Sequence, residues 1–246
     1  MTTSESQSQA NTGNPGCLYG VGVGPGDPEL LTRKALRIIQ QAPIICTPQS
    51  ETSTESYALE IVGEFLDLSK QEILRLTFPT DDAEGAAGVW RRGADTIAEK
   101  LLAGQDVAFI TEGDPMLYST FAYILEGITS AHPSIPVEIV PGVSSVMAAA
   151  ASAAIPLVTH GQRLAILPAV YGIDDLREAI ANYDTIVLMK VNRTLLQALA
   201  NLETLGLAGK GIYVRRASTA SERVVTDLSQ LTEEDLDYFS LLIIRK

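Results

Sequence analysis

Three short polar stretches carry the residue types from which a ligand site is made: Gly20-Val-Gly-Val-Gly-Pro-Gly-Asp27, Glu112-Gly-Asp-Pro-Met-Leu-Tyr-Ser-Thr120 and Pro141-Gly-Val-Ser-Ser145. Glycine lets a backbone bend and lets another group approach its amides and carbonyls closely. After the first stretch, Asp27 suits a helix cap, Pro28 the first helical position and Glu29 the positive end of the helix dipole. The chemistry suggested is that of a nucleotide-like ligand, yet the spacing denies the dinucleotide fingerprint. A G-x-G-x-x-G pattern read from Gly20 lands on Pro25, and from Gly22 it lands on Asp27. No Walker lysine follows, and a tight strand-to-helix turn without a ligand stays open as the alternative.

In the second stretch, Asp114 precedes a proline and follows an apolar run, so its carboxylate is placed to meet ligand hydroxyl or amine groups or to cap a helix from residue 117 onward. Ser144 and Ser145 divide in the same way between ligand and helix cap. Tyr118, Ser119 and Thr120 put three hydroxyls nearby, although Tyr118 also suits packing on a sheet. Met189, followed by Lys190 and Arg193, fits either beneath an aromatic ligand ring or in a core. His132 and His160 have no neighbouring cysteine or paired carboxylates, so no metal site is expected. There is no G-x-S-x-G elbow and no triad order. An enzyme built this way must work by aligning a reactive cofactor with its substrate, an effect worth roughly 7–11 kcal/mol. Methyl transfer from a sulfonium donor meets that description.

Alternating elements must hold these stretches. Strands are expected at Leu18–Val23, Ala42–Thr47, Glu72–Leu76, Gln105–Thr111 and Val137–Val140, with helices at Pro28–Gln41, Tyr57–Phe65, Val89–Ala103, 119–128 and an alanine-rich segment ending near Ala154. Such alternation implies a largely parallel sheet, whose ligands gather outside the carboxyl ends of the strands, so the three polar turns should converge. Residues 156–162 read as a linker. Beyond it, strands at 163–168, 185–189, 211–215 and 240–245, a short antiparallel strand near 224–227 and helices near 173–182, 193–205 and 232–237 suggest a second α/β domain. The expected division is a disordered tail over 1–16, an N-terminal domain over 17–158 and a C-terminal domain over 159–246.

The totals narrow the function class. With 18 basic and 30 acidic residues the net charge is −12, which argues against a broad nucleic-acid surface. No run approaches the roughly 20 apolar residues of a membrane span. Cys17 and Cys46 share no ligand spacing and read as free thiols of a reducing cytoplasm.

Taken together and in this order, Val21-Gly-Val-Gly-Pro-Gly-Asp-Pro-Glu-Leu-Leu-Thr32, Glu112 to Thr120 and Pro141 to Ser145 resemble the tetrapyrrole methylases of cobalamin synthesis. Thr47-Pro-Gln-Ser50, Phe78-Pro79 and the Tyr-Ser-Thr of 118–120 resemble the branch that methylates C20 of precorrin-2. The uroporphyrinogen-III branch instead has an aspartate-bearing Tyr-Asp-Arg segment where this chain has Thr47-Pro48-Gln49.

The resemblance implies a class III methyltransferase fold of two α/β domains with S-adenosylmethionine in a cleft between them, a tetrapyrrole substrate and a homodimer. Pro25, Gly113, Asp114, Leu117, Ser144, Ser145, Met189 and Ala217 are then the expected cofactor contacts, although relatives often have glycine near Ala217. Gly22, Gly24, Lys190 and Arg193 are the expected substrate contacts, and Tyr118 a candidate for orienting the substrate; no general base is identifiable. A methylase of another macrocycle carbon or of RNA, or a non-enzymatic nucleotide-sensing module, would share the same turns.

Overall fold

The computed structural model describes residues 14–50, 56–78, 83–168, 173–191 and 195–246. The chain forms two compact units, one of residues 1–21, 33–111 and 119–141, the other of residues 22–32, 112–118 and 142–246. The boundaries are interleaved instead of falling near residue 158. The chain leaves the first unit three times, at residues 22, 112 and 142, and each departure falls within one of the polar stretches.

In the first unit, β1 (Leu18–Gly22), β2 (Ile44–Ser50), β3 (Glu72–Phe78), β4 (Val107–Thr111) and β5 (Val137–Val140) form a sheet in the order β3-β2-β4-β1-β5. The pairs β1–β5, β2–β3 and β2–β4 are parallel. β4 is buried at every position and β1 nearly so, as expected of strands covered on both faces. The polar stretches follow β4, β1 and β5, which are neighbours in the sheet, and this adjacency brings them together.

Helix α1 (Arg33–Gln41) buries Ala35, Ile38 and Ile39, the i, i+3, i+4 stripe that its sequence shows. It does not begin at Pro28. Asp27 caps a single 3₁₀ turn, Pro28–Leu30, by accepting from the Glu29 N–H at 2.8 Å, and extended Leu31 interrupts the path before α1 begins. β2 runs three residues past the expected Thr47. Its pairing with β4 ends at Cys46–Phe109, so beyond that point Pro48 has no ladder to interrupt on that flank. Helices α2 (Tyr57–Val62), α3 (Ala83–Leu102) and α4 (Phe121–Ala131) complete this unit. Its core joins Phe109, Phe121, Ile124 and Ile128 to Ile97 and Leu101 of α3.

In the second unit, helix α5 (Ser145–Ser152) precedes β6 (Leu164–Pro168), α6 (Ile173–Asn182), β7 (Thr185–Met189), α7 (Leu195–Thr204), β8 (Gly211–Arg215), β9 (Arg223–Val225) and β10 (Ser240–Arg245). The sheet order is β6-β7-β10-β8-β9, with β6–β7 parallel and the other pairs antiparallel. The last strand thus lies between β7 and β8, and its entry stands beside the carboxyl ends of both. The expected helix over 232–237 is only the 3₁₀ turn Glu233–Asp235. There the buried Asp235 carboxylate folds back onto the Thr232 N–H at 2.9 Å in a capping box and faces Arg223, and the backbone is extended again at Leu236. Residues 156–162 lie inside this unit, where the Leu157 carbonyl accepts from the Thr185 hydroxyl at 2.6 Å.

Among the described residues, no helix is long and apolar enough to cross a membrane, and no group of three or more His, Cys, Asp or Glu side chains could hold a metal ion.

Candidate functional site

The three polar stretches meet through their backbones. Gly24 and Gly113 form an antiparallel bridge, the Gly113 N–H donating to the Gly24 carbonyl at 2.7 Å and the Gly24 N–H to the Gly113 carbonyl at 3.3 Å. Both residues have left-handed φ, +82° and +68°, which glycine adopts without strain. A Cβ on Gly22 would lie 2.6 Å from the Gly113 oxygen and 2.6 Å from the Gly142 nitrogen, and one on Gly142 would lie 2.1 Å from the Gly113 oxygen. Glycine at 22 and 142 is therefore required by the approach of one turn to another. Gly22, Gly24 and Pro25 are buried in this contact.

Asp114 fastens the arrangement. Its Oδ1 accepts from the Met116 N–H at 2.9 Å within its own loop, and its Oδ2 accepts from the Gly142 N–H at 3.0 Å on the third turn. It does not cap the following helix. The N-cap position of α4 is Thr120, and the first helical N–H, that of Phe121, is taken by Ser119 Oγ at 3.2 Å, which also pairs with the Thr111 hydroxyl at 3.1 Å. Each Asp114 oxygen retains a lone pair for a further donor such as a ligand hydroxyl. Ser144 caps α5, its Oγ accepting from the Met147 N–H at 3.4 Å, while the half-buried Ser145 hydroxyl makes no hydrogen bond among the described residues.

Met189 ends β7, and Ala217 lies two residues beyond the end of β8, on either side of β10. They are 8% and 7% exposed and join Val146, Ala149, Val214 and Leu241 in one apolar cluster, with Leu117 packed against it. The wall they make carries no charge and suits the flat face of an aromatic ring. The first turn reaches the same corner, since the Asp27 N–H donates to the Ser218 hydroxyl at 3.3 Å.

Backbone strain marks the same places. Five described non-glycine residues have positive φ, and four of them adjoin candidate contacts: Tyr118 (50°) beside Leu117, Lys190 (59°) beside Met189, and Arg216 (45°) and Ser218 (67°) on either side of Ala217. Such conformations cost of order 1–3 kcal/mol each and persist only where surrounding structure imposes them, typically at functional sites.

The segment Asp237–Ser240 imposes two of these turns, and sequence reasoning missed it. The Ser240 carbonyl accepts from the Lys190 N–H at 2.9 Å and the Phe239 carbonyl from the Arg216 N–H at 2.8 Å. Asp237 Oδ2 accepts from Arg216 Nε at 2.6 Å. Only the strand order reveals this role, because Ser240 lies some fifty residues from Lys190 in sequence yet pairs beside it. Tyr118 anchors across the unit by donating its hydroxyl to the Ile166 carbonyl at 2.9 Å. Arg193 lies outside the described residues.

Comparison with known proteins agrees with this architecture. The sequence profile of the tetrapyrrole (corrin/porphyrin) methylases matches residues 17–232. The cobalamin biosynthesis protein CobIJ of Mycobacterium tuberculosis is 36% identical over 93% of this chain, and the chain spans about half (46%) of that relative's length. The cobalt-precorrin-2 C(20)-methyltransferase of Salmonella typhimurium is 34% identical, with 94% of this chain and 97% of that one covered. Among solved structures, the uroporphyrin-III C-methyl transferase of Thermus thermophilus complexed with S-adenyl homocysteine superposes with a TM-score of 0.65 at 27% identity, covering 94% of this chain and 98% of that one.

Proposed function

This chain belongs to the tetrapyrrole (corrin/porphyrin) methylases, and we propose that it is the S-adenosylmethionine-dependent methyltransferase acting on C20 of precorrin-2 or of its cobalt-containing form. The observation that carries the reading is the fastening of three polar turns, through Gly24–Gly113 and Asp114–Gly142, in one unit with the apolar wall of Met189 and Ala217. The choice of C20 rests on the Salmonella relative, which matches over nearly its whole length.

The residues present suit the cofactor. Met189 and Ala217 would hold its adenine; Asp114, Leu117 and the Gly113 backbone would bind its ribose and amino-acid portions; Pro25, Ser144 and Ser145 would border it. When bound, the cofactor supplies an activated methyl group on a sulfonium sulfur. The chain's own contribution is alignment and the exclusion of water, since carbon methylation of an electron-rich macrocycle needs no nucleophile from the protein. Gly22, Gly24, Lys190 and Arg193 belong to the substrate in this proposal, Gly22 through the close packing of the turns, and Tyr118 orients it.

A cytoplasmic location and a homodimer are parts of the same proposal, the second tested by light scattering. The reaction is tested by mass spectrometry of precorrin-2, with and without cobalt, after incubation with the protein and S-adenosylmethionine. A gain of one methyl group is expected on one of the two forms; no gain on either overturns the assignment.

A further inference from the structure

The cations around the second sheet are not equivalent. Arg223 and Arg215 reach the Asp235 carboxylate at 2.9 and 3.7 Å, and Arg216 reaches Asp237 at 2.6 Å. Lys190 differs. Its ammonium donates to the Tyr118 carbonyl at 3.4 Å and stands 5.1 Å from the centre of the Tyr238 ring, and among the described residues no carboxylate pairs with it. Among the described residues, two neutral groups thus hold a cation that no carboxylate pairs with, in a chain of net charge −12.

Its position is fixed at both ends. The backbone is left-handed at φ 59° and tied to Ser240, while the tip is held by Tyr118 and Tyr238. A lysine left to solvent would relax from that backbone and sample many rotamers. An ammonium has three donors, and the Tyr118 carbonyl takes one. The tip is on exposed ground, with Tyr238 44% exposed, whereas Met189 beside it is buried in the apolar wall. The available anion is therefore one brought by a ligand that lies outside that wall.

Resting on the methylase reading above, we infer that Lys190 is a prepositioned anchor for a carboxylate of the macrocyclic substrate, and that Tyr238 is the residue that positions it through its ring face. Neighbouring Asp237 is engaged elsewhere: its Oδ1 accepts from the Phe239 N–H at 2.8 Å and its carbonyl from the Ser240 hydroxyl at 2.6 Å.

The test compares Lys190→Gln, Lys190→Arg, Tyr238→Leu and Tyr238→Phe with the wild type in steady-state methylation, in titration with S-adenosylhomocysteine and in thermal unfolding. Lys190→Gln should raise the KM for the tetrapyrrole about tenfold, as expected for a charge-assisted contact, and flatten its dependence on salt. Lys190→Arg should recover part of the loss. Tyr238→Leu should raise KM about threefold through the lost cation–π contact, and Tyr238→Phe should behave as wild type. Affinity for S-adenosylhomocysteine and kcat should stay unchanged throughout. A KM unmoved in Lys190→Gln, or a loss that falls on S-adenosylhomocysteine instead, overturns the inference while leaving the methylase reading intact. A wild-type protein that transfers no methyl group overturns that underlying reading.

Discussion

The candidate site is built from two kinds of material. Where the three polar turns meet, the contacts are backbone to backbone: Gly22 and Gly142 approach the Gly113 carbonyl so closely that a single carbon added to either has no room. Around the carboxyl ends of β7 and β8, the turns are instead held by side chains, with Arg216 on Asp237, Lys190 on Tyr238, and Arg215 and Arg223 around Asp235. The first region is rigid because nothing fits into it. The second holds its shape by charge and hydrogen bonding, so it can be tuned residue by residue.

The contrast can be broken from either side, and the largest effect is expected at Asp235. Removing this buried carboxylate in Asp235→Ala leaves two guanidinium groups facing a cavity and should destabilise the protein by about 3 kcal/mol in urea unfolding. A loss below about 1 kcal/mol would show that the charges rearrange freely. Burial also pushes the Tyr213 hydroxyl up, keeping it a proton donor to the Asp235 carbonyl.

Next comes Gly142→Ala, whose Cβ would press on the Gly113 oxygen. A loss of roughly 1–3 kcal/mol and of measurable S-adenosylhomocysteine binding in calorimetry is expected. Gly161→Ala is its comparator. It carries the left-handed strain (φ +83°) but meets open space, so it should cost about 1 kcal/mol and spare binding. If both variants lose binding alike, the packing of the turns is not what matters. By the same reasoning Gly24→Val is a poor probe of substrate room, because its φ of +82° strains a β-branched residue whatever is bound.

Asp114→Ala should lose the link to Gly142 and about 1–3 kcal/mol, with weaker binding of S-adenosylhomocysteine, while Asp114→Asn keeps one acceptor oxygen and should fall between. Equal behaviour of the two in calorimetry would remove the acceptor role.

The smallest effect lies outside both regions. Hydrogen bonds from Lys70 and Ser69 hold the exposed Asp67 carboxyl down to about 2. A depressed carboxyl lends stability above its unfolded pKa of about 3.9 and loses it as pH falls toward 2. Asp67→Asn should slightly flatten acid unfolding over that window without altering ligand binding. A change in binding would contradict the confinement of function to the second unit's turns.

Much of this was legible in sequence, for identifiable reasons. β5, β7, β8 and β10 run where their apolar, β-branched stretches lie, bounded by turn residues. The three polar turns declared themselves because glycine, proline and aspartate are what such turns require, and alternation of strands and helices implied their convergence. What stayed hidden depends on distant pairing. Nothing local to Lys190 or Arg216 announces a left-handed backbone; the Phe239 and Ser240 carbonyls hold both as β10 enters between β7 and β8. The interleaving of the two units hid for the same reason, since the turns leave one sheet and pack with residues more than a hundred positions later. The 3₁₀ turn at Glu233–Asp235 likewise sets Asp235 against Arg223 of β9, a pairing that no helical pattern encodes.

Placement of a methyl group on one carbon of a tetrapyrrole is tested by NMR of the product made with S-adenosylmethionine labelled with ¹³C in its methyl group. One new labelled methyl resonance is expected, correlated to C20 of the macrocycle. A label on any other carbon, or none with a wild-type protein that binds the cofactor, would contradict it.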